Sequence, residues 1–287
     1  MVNFLASLYQ EGYQYRSLCN YRSAISSVHD KVDGCDVGSH PMVGRLLRGA
    51  FHERPPQPRY SSTWDVSKVT SYLVSLGNNE SLSLQDLTLK TAMLLALTRP
   101  SRSMDLVNLD IRYRQYSPEG VTFHPAKLAK QSRQNKKIAD FFFPCFKDNT
   151  LLCPVQTLRT YEQRTQSKRS EKESQLLIAT IQPFKPVSSS TVARWLKSIL
   201  SKAGIDTGVF RAHSVRSAAV SAAADSGLTT SDILRAADWS SEGIFQKFYY
   251  KPQERLDAFG KAVLSTKLST TDKLQNHVDM ETEHSEI

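Results

Sequence analysis

The stretch RAHSVRSAAVSAAADSGLTTSDILRAADWSSEGIFQKFYYKP, residues 211–252, decides how this chain is read. Its alanine content from His213 to Ala224 predicts a helix, which sets His213 and Arg216 three residues apart on one face. Gly227 ends that helix, and Thr229 or Thr230 offers a cap for a second one over residues 231–237. Beyond it stand Trp239 and a tyrosine pair, Tyr249 and Tyr250. Alone, the stretch also fits an alanine-rich core with a satisfied histidine and a surface arginine. The rest of the chain shifts that balance.

With 287 residues, 40% of them hydrophobic, the chain can bury one large or two modest cores. The net charge of +9 is unevenly spread. Residues 1–60 carry 7 basic and 5 acidic side chains, residues 61–274 carry 30 and 19, and the last thirteen carry none and 4. The positive excess therefore lies in the body of the chain, which favours a polyanionic partner such as nucleic acid. Four cysteines (Cys19, Cys35, Cys145, Cys153) show neither a CxxC nor zinc spacing. That pattern reads as a reduced, intracellular, metal-free protein, nuclear if the source is eukaryotic. No apolar run reaches membrane-spanning length and no signal peptide opens the chain, so a soluble protein without a membrane partner is expected.

Working outward to the N-terminus, residues 1–53 read as a small helical unit in which Arg45 and Arg48 stand three apart. They are candidate DNA contacts, or an ordinary solvated face. The proline-rich residues 54–62 read as a linker. Ser62 or Thr63 is expected to cap a helix over residues 65–76. A second helix, opened by a capping-box-like Ser-Leu-Gln-Asp at Ser83, runs to Leu97 with apolar residues nearly all round, the mark of a central helix. It stops at Thr98-Arg99-Pro100. Arg102 follows directly, and a cation behind the most buried helix is costly unless it is partnered or meets a ligand. Residues 110–143 switch to strand spacing: IRYRQY, VTFHPAKLAK and IADFFFP predict three antiparallel strands with a basic loop. Lys127, Lys130, Arg133, Lys136 and Lys137 decorate it as candidate DNA contacts. Pro154 opens a helix to about Arg164, SKRSEKES reads as a solvated loop, and serines before Thr191 cap a helix closed by Gly204. An amphipathic segment follows Pro252, and residues 265–287 form a polar acidic tail read as disordered.

Taken in chain order, Arg102, a hairpin lysine, His213 with Arg216, Trp239 and a tyrosine resemble the active site of the tyrosine recombinase (phage-integrase) family. RSMDLVNL resembles that family's Arg-x-x-(Glu/Asp)-Leu-x-x-Leu, with Asp105 as the carboxylate supporting Arg102. HSVR supplies His213 and Arg216, and ADWSS resembles the segment that carries the third donor, here Trp239. Lys130-Gln-Ser-Arg resembles the hairpin Lys-Thr-Gly-Arg, which prefers Lys130 to Lys127. Family spacing of nine or ten residues from Trp239 lands on Phe248 or Tyr249; Tyr249 is chosen as nucleophile, with Tyr250 as the alternative. Phe245 and Phe248 read as packing. SAISSVH, HPMVGRLLRG and DWSSEGIFQKFY look most like recombinases of DIRS-type retroelements and their eukaryotic relatives.

The resemblance implies a mainly α fold with a small antiparallel sheet. It implies a catalytic domain over residues 63–264, preceded by a helical core-binding-like clamp that is short for the family. It also implies a DNA recombinase or integrase of a mobile element, acting through a 3′-phosphotyrosyl intermediate without metal, ATP or cofactor. Double-stranded DNA and a homo-tetramer on paired sites would be its partners. Two other readings stand beside it: a type IB topoisomerase-like enzyme that cleaves and reseals one strand, and a domesticated DNA-binding protein without catalysis.

Overall fold

Helical periodicity near the N-terminus becomes three helices, α1 (Val2–Gln10), α2 (Tyr15–Ser26) and α3 (Pro41–Glu53). They are seen in a computed structural model that describes residues 1–56, 62–126, 139–239 and 241–251. The chain divides into two compact units, Met1–Arg59 and Tyr60–Ile287. In the first, Leu5, Leu8, Leu18, Val43, Leu47 and Ala50 close a small core. Pro41 opens α3 at its first turn, where a missing N–H costs nothing. Arg54 lies over the Tyr9 ring, 3.6 Å from its centroid, and donates to the Tyr9 carbonyl. Arg45 and Arg48 are exposed on α3.

The second unit is built around one helix, α5 (Leu84–Thr98), which is buried without interruption from Leu87 to Ala96. Ser83 Oγ accepts from the Asp86 N–H at 3.0 Å and starts it as expected. Continuous burial includes Lys90, 0% exposed, whose Nζ donates to the Gly77 carbonyl at 3.1 Å. Before α5 runs α4 (Val66–Ser75). Its cap is Asp65, accepting from the Ser67 N–H at 2.8 Å, and not Ser62 or Thr63 as the sequence suggested. The reason is tertiary. Trp64 is buried and its Nε1 donates to Ser214 Oγ at 2.9 Å, which holds Thr63 and Trp64 out of the helix.

After α5, the short helix α6 (Ser103–Val107) leads to the sheet. Strands β1 (Arg114–Tyr116), β2 (Gly120–Phe123) and β3 (Phe141–Pro144) pair antiparallel in the order β1-β2-β3. Val121, Phe123 and Phe143 face the core. A Cβ at Gly120 would overlap the Phe143 carbonyl, so glycine is required there. The first strand is shorter than expected. Ile111–Tyr113 is a 3₁₀ turn, because Asp110 accepts from the Arg112 N–H at 2.9 Å and pairs with its guanidinium. The lysine-rich loop and residues 252–287 lie outside the described residues.

Helices α7 (Pro154–Thr165) and α8 (Ser189–Lys202) pack on α5. Between them SKRSEKES is not wholly solvated. Arg169 is half-buried and donates to the carbonyls of Gln175 and Leu176. That anchors the apolar segment Leu176, Leu177 and Ile178 in the core. Helix α9 (Ser214–Asp225) follows, then α10 (Thr230–Ala237), capped by Thr229. A turn of helix, Glu242–Ile244, then enters a π-helical turn, Phe245–Tyr249. Val220, Ile233, Ala237, Trp239 and Phe245 form a second core that gathers these last elements. Among the described residues no helix is long and apolar enough to cross a membrane.

Candidate active site

Each candidate side chain sits where a backbone element begins or ends, so the site is assembled from termini. Arg102 is the residue before α6. Its own N–H donates to Asp105 Oδ2 at 2.7 Å, and the Asp105 N–H donates back to the Arg102 carbonyl at 2.9 Å. Asp105 thus fixes the turn that presents Arg102 by clasping its backbone. His213 occupies the equivalent place before α9, whose next residue, Ser214, is locked by Trp64.

Arg216 is the most enclosed member, 2% exposed. Its Nη2 donates to the Ala237 carbonyl at 3.2 Å, where the unpaired carbonyls at the end of α10 favour a cation. Asp238 then adopts a left-handed conformation, φ 51°. That reversal lets the Trp239 N–H reach the Leu234 carbonyl at 2.9 Å and turns the indole back toward Arg216. The guanidinium carbon lies 4.7 Å from the Trp239 ring centroid and 5.1 Å from that of Tyr249. Trp239 and Tyr249 stack at 4.3 Å with 28° between their planes. The His213 ring is 5.9 Å from Tyr249.

Tyr249 is held by its backbone. The buried Ser221 hydroxyl donates to the Tyr249 carbonyl at 3.4 Å and accepts from the Lys251 N–H at 2.9 Å. Tyr250 turns the other way and packs on Phe245, at 5.5 Å between rings. Phe245 is buried as expected.

Electrostatics make the site ready for an anion. Burial, followed by the charge of Arg102, pushes the Arg216 guanidinium down to about 10, so it stays charged at neutral pH. The His213 ring reaches solvent on one side yet is crowded by protein on the others. That crowding, then Arg216 and Arg102, holds its pKa below the ordinary histidine value. Two buried donors, Arg216 Nε and Trp239 Nε1, have no hydrogen-bond partner among the described residues. An unmet buried donor costs roughly 1–3 kcal/mol. An oxyanion between Arg102, Arg216 and Trp239 would satisfy both donors and relieve the repulsion between the arginines.

Neither a family model nor a curated protein sequence matches the chain. Its fold, however, has solved counterparts. The XerH site-specific recombinase in a post-cleavage complex with palindromic difH substrate is 13% identical, with a TM-score of 0.60 across 91% of this chain and 70% of that one. The Tn1549 transposon integrase with transposon right end DNA is 11% identical, TM-score 0.59, over 92% and 83%. XerA recombinase is 14% identical, TM-score 0.50, over 92% and 80%. The fold is that of a tyrosine recombinase catalytic domain. At such identities the chemistry has to be argued from this chain's own residues.

Within that tyrosine recombinase fold, six candidates converge: Arg102, Asp105, His213, Arg216, Trp239 and Tyr249. Lys130 lies outside the described residues, as do Lys127, Arg133, Lys136 and Lys137. Arg45 and Arg48 belong to the first unit. Sequence reading missed Arg99, Trp64, Ser214 and Ser221. Arg99 donates from Nη1 to the Asp140 carbonyl at 2.8 Å and covers the Phe141 ring at 4.3 Å, so it grips the start of β3. Burial lowers its pKa, opposed by Asp238, Asp105 and Asp140. Its signal in the sequence was a second arginine beside Pro100, indistinguishable there from a surface turn.

Proposed function

We propose that this protein cuts and rejoins DNA strands by transesterification through Tyr249. The observation that carries the reading is the convergence of Tyr249, Trp239, His213 and Arg102 on Arg216, with two buried donors unpaired among the described residues. Tyr249 Oη attacks a backbone phosphorus, the bond to the 5′ oxygen breaks, and a 3′-phosphotyrosyl link forms. Arg102 and Arg216 bind the non-bridging oxygens, and the Trp239 N–H donates to the charge that builds on them. With its pKa depressed, His213 is neutral at pH 7 and can take the tyrosine proton. Lys130 is assigned, from the sequence, to protonate the departing 5′ oxygen. Attack by a 5′ hydroxyl reverses the step. The phosphodiester energy is kept in the tyrosyl link, so rejoining requires neither ATP nor a metal.

Tyr249, rather than Tyr250, is favoured as nucleophile by its stack on Trp239 and its nearness to His213. On this reading Arg45, Arg48 and the hairpin cations Lys127, Arg133, Lys136 and Lys137 contact phosphates, and four copies act on paired sites of a mobile element related to the DIRS type. The test is to incubate the protein with nicked duplexes of randomised sequence and look for a detergent-resistant protein–DNA adduct. Tyr249→Phe should abolish the adduct and Tyr250→Phe should keep it. The reverse result would move the nucleophile, and no adduct with either tyrosine in place would sink the reaction. Circular and recombined products on recovered target DNA would then separate strand exchange from simple relaxation.

A further inference from the structure

Away from the candidate active site, two thiols stand in contact. Cys145 Sγ and Cys153 Sγ are 3.8 Å apart, and both are free. Each is fixed by a rigid element. Cys145 follows the last residue of β3, and its N–H donates to the Glu119 carbonyl at 2.7 Å. Cys153 is the residue before Pro154, the first of α7, and is fully buried. The Phe146 N–H donates to Cys153 Sγ at 3.4 Å, orienting that sulfur toward the loop. The loop between them is exposed from Phe146 to Thr150. A disulfide needs its sulfurs at about 2.05 Å, so closure asks for about 1.8 Å of sulfur movement, within reach of side-chain rotation.

We propose that Cys145 and Cys153 are a reversible redox site, closed to an intramolecular disulfide by exchange with a small-molecule disulfide. Cys145, half-buried, is the thiol such a reagent reaches first. Its thiolate attacks one sulfur of the reagent, whose S–S bond breaks and whose other half leaves as a thiol after taking up a proton. Cys153 then loses its proton and attacks the Cys145 sulfur of the mixed disulfide, releasing the second thiol. Two protein thiols are oxidised and one disulfide is reduced to two thiols. Burial, and then Cys153, hold the Cys145 thiol above its ordinary pKa, so the first attack is slow and answers to sustained oxidation. The product staples the end of the sheet to the start of α7. Closing so short a loop should raise Tm by roughly 5 °C.

The experiment uses the full chain with Cys19→Ser and Cys35→Ser, treated with oxidised glutathione, alkylated and digested with trypsin. Cleavage after Lys137, Lys147 and Arg159 puts the two cysteines on neighbouring peptides, so the bond appears as a linked pair. That pair, with a Tm rise reversed by dithiothreitol, is the expected result. Cys153→Ser should stop at a glutathione adduct on Cys145, and Cys145→Ser should leave Cys153 unmodified in the folded protein. A stable glutathione adduct on Cys145 beside an alkylated Cys153 would overturn the proposal, as would two alkylated thiols. A linked pair without a change in Tm would overturn the staple. None of these outcomes depends on the DNA reaction.

Discussion

Replacing Trp239 with phenylalanine separates catalysis from packing. The indole is 7% exposed, stacked on Tyr249, and its Nε1 is a buried donor with no partner among the described residues. Phenylalanine keeps an aromatic face for the stack, gives up about 1 kcal/mol of apolar burial, and removes an unmet donor that costs roughly 1–3 kcal/mol. These nearly offset, so the folded protein should change in Tm by no more than a few degrees. The reaction should respond differently. If Nε1 donates to the phosphate as charge develops, its loss costs roughly 3 kcal/mol, about a hundredfold in rate. Single-turnover adduct formation at saturating protein, read beside thermal denaturation, measures both effects. Trp239→His returns a donor and should recover part of the rate, although it stacks less well. Adduct formation at the wild-type rate by Trp239→Phe would refute the donor role.

His213 is depressed below its ordinary pKa, so its neutral form stabilises the fold above the unfolded value of 6.5, and that stability is lost as pH falls through the lower folded value. His213→Gln should therefore flatten the acid limb of a Tm against pH curve, and the acid limb of kcat/KM for the wild type should have its midpoint below 6.5. Lys90 has its charge buried against one carbonyl, and burial lowers its pKa. Lys90→Met should therefore raise Tm at pH 7 by a few degrees, with the gain shrinking as pH rises toward 10.5, since the wild type loses its charge penalty there. Arg99→Ala removes the hydrogen bond and ring contact that hold the start of β3. It should lower the cleavage rate about tenfold at unchanged DNA affinity, with partial rescue by Arg99→Lys. Equal losses in affinity and rate would instead make Arg99 a phosphate contact.

The helices of the second unit could be read from the chain because local chemistry and tertiary structure agree there. Ser83, Ser188 and Thr229 each accept an N–H from the first turn they precede, and Gly204 ends its helix at φ 75°. The local signal misled where a partner outside the immediate segment outvoted it. Four cap-capable residues surround Trp64, and only its bond to Ser214, 150 positions away, selects Asp65. Arg169 sits in a run of charges that looks solvated, yet the carbonyls of Gln175 and Leu176, further along the same connection, claim its guanidinium. Lys90 hides in an apolar helix because Gly77 turns a carbonyl toward it.

The site divides along the same line. Residues proposed to meet the chemistry carry unusual types at fixed spacing, so His213, Arg216 and Trp239 stood out. Residues that position them act through the backbone and carry ordinary types: Ser221 under Tyr249, Ser214 under His213, Asp238 before Trp239. The proposed choice between the tyrosines rests on the π-helical turn. Spacing alone offered Phe248, Tyr249 or Tyr250, whereas an i→i−5 bond from the Tyr250 N–H to the Phe245 carbonyl, 2.9 Å, fixes the phase of the turn. An ordinary α turn would pair that carbonyl with Tyr249 instead and rotate both rings by about 100°. The extra residue is therefore what turns Tyr249 onto Trp239 and sends Tyr250 to Phe245. Deleting one residue from the turn should exchange the two tyrosines at the site, and a deletion that still forms its adduct through Tyr249 would show that the turn does not choose between them.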